Sequence, residues 1–391
     1  MKRYITLLLV YLTASAAWAQ DTLLVDKQVF ELEQFTTYTG KNIKQVRVGW
    51  EAYGQLNADK SNAILITHYS TGSSHAAGKY RVSDTTSGYW DALIGPGKAI
   101  DTNKYYVISS DTLANVSAYN PDVITTGPAS INPDTGKPYG LSFPVVTIRD
   151  FVNVQKALLD SLGIQKLHAV VGPSMGSFQA IDWASAYPDK VERMISVIGS
   201  AGTDAWTAIS LHHWAMPIML DANWQQGNYY GKESPNAGLV ASLMMITQQA
   251  LEPDFINRTI ADHSPLENAP LNDPMAEFKA VRWLRERAQS RAAQMDANHV
   301  IYLARASQAF VTGFSASMDE GLARIQAKTL FIPSAHDMLL LPENIRLAHE
   351  KLLALGKRSQ IALLNGGMGH LDGVARITQQ ADLIRDFLNT P

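Results

Sequence analysis

Leu167-His-Ala-Val-Val-Gly-Pro-Ser-Met-Gly-Ser177 is the stretch on which the reading of the whole chain turns. Leu167, Ala169, Val170 and Val171 form a nearly continuous apolar run, the pattern of a strand buried on both faces. The run leads into G-x-S-x-G, where a serine at the tip of a sharp strand-to-helix turn holds its hydroxyl clear of the backbone. Gly172 and Gly176 lack a Cβ, so the chain on either side of the turn can approach closely. Downstream, Phe178, Ile181, Ala184 and Tyr187 recur at helical spacing until Pro188 ends the pattern. The bare pentapeptide arises by chance in roughly one chain in ten of this length. The strand before it and the helix after it give it weight, and Ser174 is the candidate nucleophile.

On the N-terminal side, segments 28–38 and 44–53 alternate apolar and polar residues and predict an antiparallel hairpin. Ala63-Ile-Leu-Ile-Thr67 reads as a buried strand opening into the polar loop His68-Tyr-Ser-Thr-Gly-Ser-Ser-His75. A loop in that place can supply one backbone N–H of an oxyanion hole, here near Tyr69 or Ser70, with Met175 giving the other. Residues 104–109 read as a further strand. The Gly- and Pro-rich stretch 127–140 predicts a long irregular loop, and 148–162 an amphipathic helix that Gly163 ends. A strand is expected over 191–198.

From about 203 to 325 the strand–helix alternation stops and helices joined by Pro/Asn-rich breaks take over, as in a helical cap inserted into a core of 20–202 and 326–391. The cap holds seven of the chain's 12 Met and four of its 8 Trp, which favours an apolar, adaptable pocket roof. The core resumes with a strand at 328–333 that delivers Ser334-Ala-His-Asp337, then a helix from Pro342 to Gly356. A last strand at 360–364, the loop Gly366-Gly-Met-Gly-His370 and a closing helix over 374–388 complete it.

Composition narrows the chemistry. The formal net charge is −3, which leaves no electrostatic footprint for nucleic acid or an anionic membrane. With no Cys there can be no disulfide, thiolate metal site or Cys nucleophile, and no H-E-x-x-H or comparable ligand spacing appears. Neither metal nor cofactor is expected. Lys2-Arg3, the apolar run Ile5 to Val10 and Ala17-Trp-Ala19 read as a secretory signal over 1–19, cleaved near Ala19, with a periplasmic or secreted mature protein. The run is too short for a membrane span of ~20 residues.

Ser174, Asp337 and His370 occur in the order nucleophile, acid, base, each in a loop after an expected strand, which is the order of the α/β-hydrolase fold: a mostly parallel sheet with helices on both faces. Strand C-termini share one sheet edge, so residues distant in sequence can meet there. Rivals stand beside each assignment. Asp372 could be the acid and His336 the base, while the adjacent His212-His213 point in different directions on a helix and make poor metal ligands.

Trp90-Asp-Ala-Leu-Ile-Gly-Pro-Gly-Lys-Ala-Ile-Asp-Thr102, the 126–150 stretch ending Phe143-Pro-Val-Val-Thr-Ile-Arg-Asp150, and the Ser-Met-Gly elbow resemble the homoserine O-acetyltransferase family, from about residue 44 onward. The resemblance implies that Ser174 is acetylated as an intermediate, that Asp337 and His370 complete its triad, and that a homodimer through the cap is open. Family members that make acetylhomoserine carry an Arg and, seven residues later, a Tyr after a Gly-Leu pair, gripping the amino acid's carboxylate. Counting from Gly238-Leu239, those positions are Leu243 and Ala250 here, and the family's Arg-Phe-Asp is Gln294-Met295-Asp296. A carboxylate would lose its bidentate partner, unless a shifted cap Arg replaces it. An exported enzyme would also lack acetyl-CoA. The expectation is therefore an exported serine hydrolase acting on a small, fairly apolar ester or amide, with an O-acyltransferase passing acetyl to an alcohol as the alternative.

Overall fold

The computed structural model describes residues 23–262, 264–266 and 272–390. The expected signal segment 1–19 lies outside the described residues. Eight strands form the central sheet: β1 (Gln28–Thr36), β2 (Asn42–Tyr53), β3 (Ala63–Thr67), β4 (Tyr106–Ser110), β5 (Ala169–Pro173), β6 (Arg193–Val197), β7 (Lys328–Ile332) and β8 (Ser359–Ile361). Their spatial order is β1-β2-β4-β3-β5-β6-β7-β8. β1 and β2 make the expected antiparallel hairpin and β2 runs antiparallel to β4, whereas every pairing from β4 to β8 is parallel.

The five-residue strands β3, β5 and β6 are buried along their whole length because both faces are covered. Leu65, Val170 and Met194 face one apolar layer, which takes in α1 (Ile148–Ser161) and α2 (Met175–Ala186). Ile64, Ile66, Val171 and Ile195 face the other, with Trp90 and the closing residues Phe387 and Leu388. α1 starts at a capping box: Thr147 accepts from the Asp150 N–H and Asp150 from the Thr147 N–H.

Between β6 and β7 lie α3 (Ala205–Leu220), α4 (Asn236–Ala250), α5 (Pro253–Thr259), α6 (Lys279–Ala292), α7 (Ala297–Gln308) and α8 (Met318–Arg324). α3 and α4 cross closely at Gly238, where a Cβ would lie 2.5 Å from the Pro217 carbonyl. α9 (Pro342–Ala354) has Pro342 in its first turn. The closing helix differs from the expected single element: α10 (Asp372–Ala375) and α11 (Ala381–Asn389) are separated by a 3₁₀ turn. Gly373 is pinned against Ile198, and the Trp90 indole donates to its carbonyl at 3.0 Å, so α10 is held where β6 ends. The chain breaks at Arg376, and α11 then follows its own apolar stripe onto the sheet.

The long loop 111–147 is fastened to the cap. Asp296, the N-cap of α7, is buried and accepts from the Tyr119, Tyr229 and Tyr230 hydroxyls at 2.8, 2.6 and 3.0 Å. His299 donates through Nδ1 to the Asn115 carbonyl, and its Nε2 accepts from the Ala129 N–H at 3.1 Å. Burial pushes the His299 pKa down, so the ring stays neutral and can play both parts.

Candidate active site

β5 ends in the turn that its glycines require. A Cβ on Gly172 would lie 2.1 Å from Thr67 Oγ1, and one on Gly176 only 2.0 Å from the Thr67 carbonyl, so β3 packs into the space two side chains would have filled. Thr67 Oγ1 donates to the Gly176 carbonyl at 2.7 Å. Ser174 sits at φ 57°, ψ −122°, a conformation costing a non-glycine residue about 1–3 kcal/mol. The Ser174 N–H donates to the Val197 carbonyl at 2.9 Å, so β6 holds the strained residue in place. Ile198, the next residue on that strand's exit, is also strained at φ 43°.

The structure brings Ser174, His370 and Asp337 into one line. The Ser174 hydroxyl lies 2.8 Å from His370 Nε2, and His370 Nδ1 donates to Asp337 Oδ2 at 2.6 Å. Asp337 Oδ1 accepts the Leu339 and Leu340 N–H groups, both at 2.9 Å, so its carboxylate is fixed at both oxygens. All three residues are buried.

The rivals go elsewhere. Asp372 accepts from the Gly366 and Met368 N–H groups at 2.9 and 3.0 Å and from the Ser334 hydroxyl, which braces the loop that carries His370. His336 pairs with Glu252 at 2.7 Å. His212 is exposed on α3 with His213 half-buried beside it, and among the described residues no His/Cys/Asp/Glu group could hold a metal.

Behind the site a polar chain sets the peptides at 68–70. Gln179 donates to the His68 carbonyl at 3.3 Å, and His68 Nδ1 donates to the Tyr69 carbonyl at 2.7 Å. Burial lowers the His68 pKa and keeps the ring neutral, with Asn115 facing its Nε2. In a trans peptide the N–H points opposite to the carbonyl, so fixing these two carbonyls also fixes the Tyr69 and Ser70 N–H groups. Among the described residues neither N–H donates to a protein acceptor, and neither does that of Met175.

Ser174 opens onto two recesses. The larger, about 330 Å³, is lined by Tyr69, Ile198, Trp214, Ile246, Ala250 and Arg291, among others. The smaller, about 20 Å³, lies between Ser70, Met175, Phe178, Leu211 and Leu340. Trp214 and Leu339 wall both. The cap contributes Leu211, Trp214, Ile246 and Ala250 to these walls, an apolar roof as expected, but none of the cap's methionines is among the described residues that line them: Met295 is buried among core residues and Met275 is exposed. Leu243 is likewise buried in the core, whereas Ala250 faces the larger recess.

A family model described as the alpha/beta hydrolase fold matches residues 111–367. A homoserine O-acetyltransferase of Methanohalobium evestigatum is 40% identical over 80% of this chain, which spans 63% of that relative's length. The crystal structure of homoserine O-acetyltransferase from Bacillus anthracis superposes with a TM-score of 0.91 at 38% identity, over 94% of this chain and 98% of that one. The chain belongs to the homoserine O-acetyltransferase family. As a member it is an enzyme, a hydrolase or an acyltransferase on the α/β-hydrolase fold. Within the same fold, the crystal structure of esterase E22 is 62% identical with a TM-score of 0.92, over 94% of this chain and all of that one.

Sequence reasoning named the residues of the hydrogen-bonded line and left a shifted cap arginine open without naming Arg291, but it missed Trp214 and the His68–Gln179 brace. Helix α6 carries several arginines, and nothing in their spacing marks Arg291, because its place in the wall depends on how α6 packs against α4 and the core.

Proposed function

We propose that this protein is a serine esterase that hydrolyses small acyl esters through an acyl-Ser174 intermediate. The observation that carries the reading is the Ser174–His370–Asp337 line opening onto a recess lined mainly by apolar groups, with Ala250 in its wall and Leu243 buried in the core. The 62% identity to esterase E22 supports it.

In the first half-reaction Ser174 Oγ attacks the acyl carbon and its proton passes to His370 Nε2, while Asp337 orients the ring and stabilises the imidazolium. The Met175 N–H, with that of Tyr69 or Ser70, receives the developing oxyanion. His370 then gives its proton to the departing alkoxide. In the second half-reaction water yields a proton to His370, its oxygen attacks the acyl carbon, and Ser174 leaves with that proton restored; the products are the acid and the alcohol. The smaller recess takes the acyl chain. Its volume of about 20 Å³ is little more than one water-sized sphere, which suits the methyl of an acetyl group. The alcohol portion occupies the larger recess.

The curated relatives favour the second reading, acyl transfer to an alcohol such as homoserine, which differs only in what enters after acylation. Nitrophenyl acetate separates the two when assayed beside Ser174→Ala with alcohols, homoserine included, as competing acceptors. Steady turnover to acetate, lost in the variant, is expected. A burst that turns over only when an alcohol is supplied would replace hydrolysis by transfer. We also propose export through the 1–19 segment, for which a mature periplasmic N-terminus near Gln20 is the expected mass-spectrometric result, and an intact leader on the active protein the contrary one.

A further inference from the structure

The larger recess contains a charge that no described carboxylate neutralises. Arg291 stands in its wall, and the only hydrogen bond of its guanidinium among the described residues is to Thr247 Oγ1 at 3.1 Å. Elsewhere on α6, Arg282 meets Glu286 and Arg285 meets Glu277, both at 2.8 Å, but no described carboxylate lies within ion-pair distance of Arg291. Burial disfavours the guanidinium charge and lowers its pKa, and the nearby Tyr69 hydroxyl partly offsets this. That hydroxyl also has no hydrogen-bond partner among the described residues, and Tyr69 lines the same recess. Among the described residues no Asp or Glu lines the wall, which is otherwise built from groups such as Ile246, Trp214 and Val374.

A desolvated guanidinium without a counter-ion is costly, and in a substrate recess the ligand is the group left to supply one. We infer that Arg291, assisted by the Tyr69 hydroxyl, binds a carboxylate on the alcohol portion of the substrate, so that the preferred esters are short acyl esters of hydroxy acids. This rests on Ser174 being the nucleophile and the small recess holding the acyl chain. With room there for little more than a methyl group, the anion has to sit on the alcohol side. The wall also selects the kind of anion. A dianionic phosphate would leave one charge unmatched against apolar groups, and a zwitterionic amino acid would bring an ammonium with no carboxylate to meet it. A simple hydroxy carboxylate matches one cation with one anion.

The test compares three acetate esters: that of a hydroxybutanoate, the same ester with its carboxylate methylated, and O-acetylhomoserine. Wild type is expected to favour the carboxylate over the methyl ester by about 10- to 100-fold in kcat/KM, mostly through KM, and the preference should shrink as salt rises. Arg291→Gln should collapse that ratio to near unity, and Arg291→Lys, which keeps the charge without the fork, should retain part of it. Equal kcat/KM for the anionic and methylated esters in wild type, a preference that survives Arg291→Gln, or a preference for O-acetylhomoserine over its des-amino counterpart would each overturn the inference. Binding of free hydroxybutanoate to Ser174→Ala, read as a rise in Tm absent from Ser174→Ala/Arg291→Gln, needs no turnover. If that Arg291-dependent shift is seen while wild type cleaves no ester, the esterase reading falls and the carboxylate site stands.

Discussion

Replacing Asp337 by Asn tests the proposed line at its least exposed point. Asp337 Oδ1 accepts two backbone N–H groups, from Leu339 and Leu340, while Oδ2 accepts His370 Nδ1–H. An Asn in the same place must put its oxygen toward the two N–H donors. Turning the amide round would set NH₂ against them and lose two hydrogen bonds, roughly 3 kcal/mol, so the inverted amide is populated about one time in a hundred. The amide NH₂ therefore faces His370 Nδ1 and makes it an acceptor, which moves the ring proton to Nε2, where it faces Ser174 and can take nothing from it. That accounts for about 10²-fold, and removing the charge that stabilises the imidazolium adds a comparable factor. The combined loss in kcat is about 10⁴-fold, or roughly 5.5 kcal/mol. Because Asn keeps the two backbone hydrogen bonds, Tm should stay near wild type. Initial rates on nitrophenyl acetate, with Tm measured on the same samples, check this, and Asp337→Ala is the comparison, since it removes the charge without imposing the wrong tautomer. An Asp337→Asn enzyme keeping more than about a tenth of wild-type activity would refute the argument, as would a folded Asp337→Ala enzyme less active than it.

Other outcomes follow from the same geometry. Gly176→Ala places a Cβ 2.0 Å from the Thr67 carbonyl, so β3 or the elbow must shift; a loss of about 3 kcal/mol or more in denaturant unfolding is expected, with activity lost even where folded protein is recovered. Trp214→Ala removes the wall shared by the two recesses and should move the acyl preference from acetyl toward longer chains, measured as the ratio of kcat/KM for nitrophenyl butyrate and acetate. Stability should decline with acid in two stages. His68 and His299 are held neutral by burial, so below about pH 6.5 the unfolded chain takes up protons that the folded one refuses. Burial would raise the Glu51 carboxyl, but hydrogen bonds from His75, Lys27 and Tyr80 and the Lys27 charge bring it down to about 2. Its contribution, about 3 kcal/mol, is present above the unfolded value near 4.5 and is lost as pH falls toward 2. Glu51→Gln should flatten this lower stage of the unfolding curve, and an unchanged curve would remove Glu51 from the account.

Local rules fixed much of this protein before any tertiary contact is considered. An apolar run too short for a helix, followed by glycines and a serine and then a helical period, has one compact solution, and β5, the strained Ser174 and α2 are that solution. The hairpin and the strand at 63–67 were legible for the same reason, since strand periodicity and burial are properties of neighbouring residues. Distance in sequence is where local reading ends. Asp337 and Asp372 are equally good carboxylates by type, and only the parallel placement of β7 and β8 turns the first toward the His370 ring and leaves the second bracing its loop. The cap shows the same division. Its helices were visible in outline, but which side chain reaches the recess depends on how those helices cross: Trp214 faces it while the methionines turn away, and Arg291 enters it while Arg282 and Arg285 on α6 find acids. Periodicity says which face of a helix is apolar, whereas the partner that covers that face, and the charge left without one, are decided only by packing.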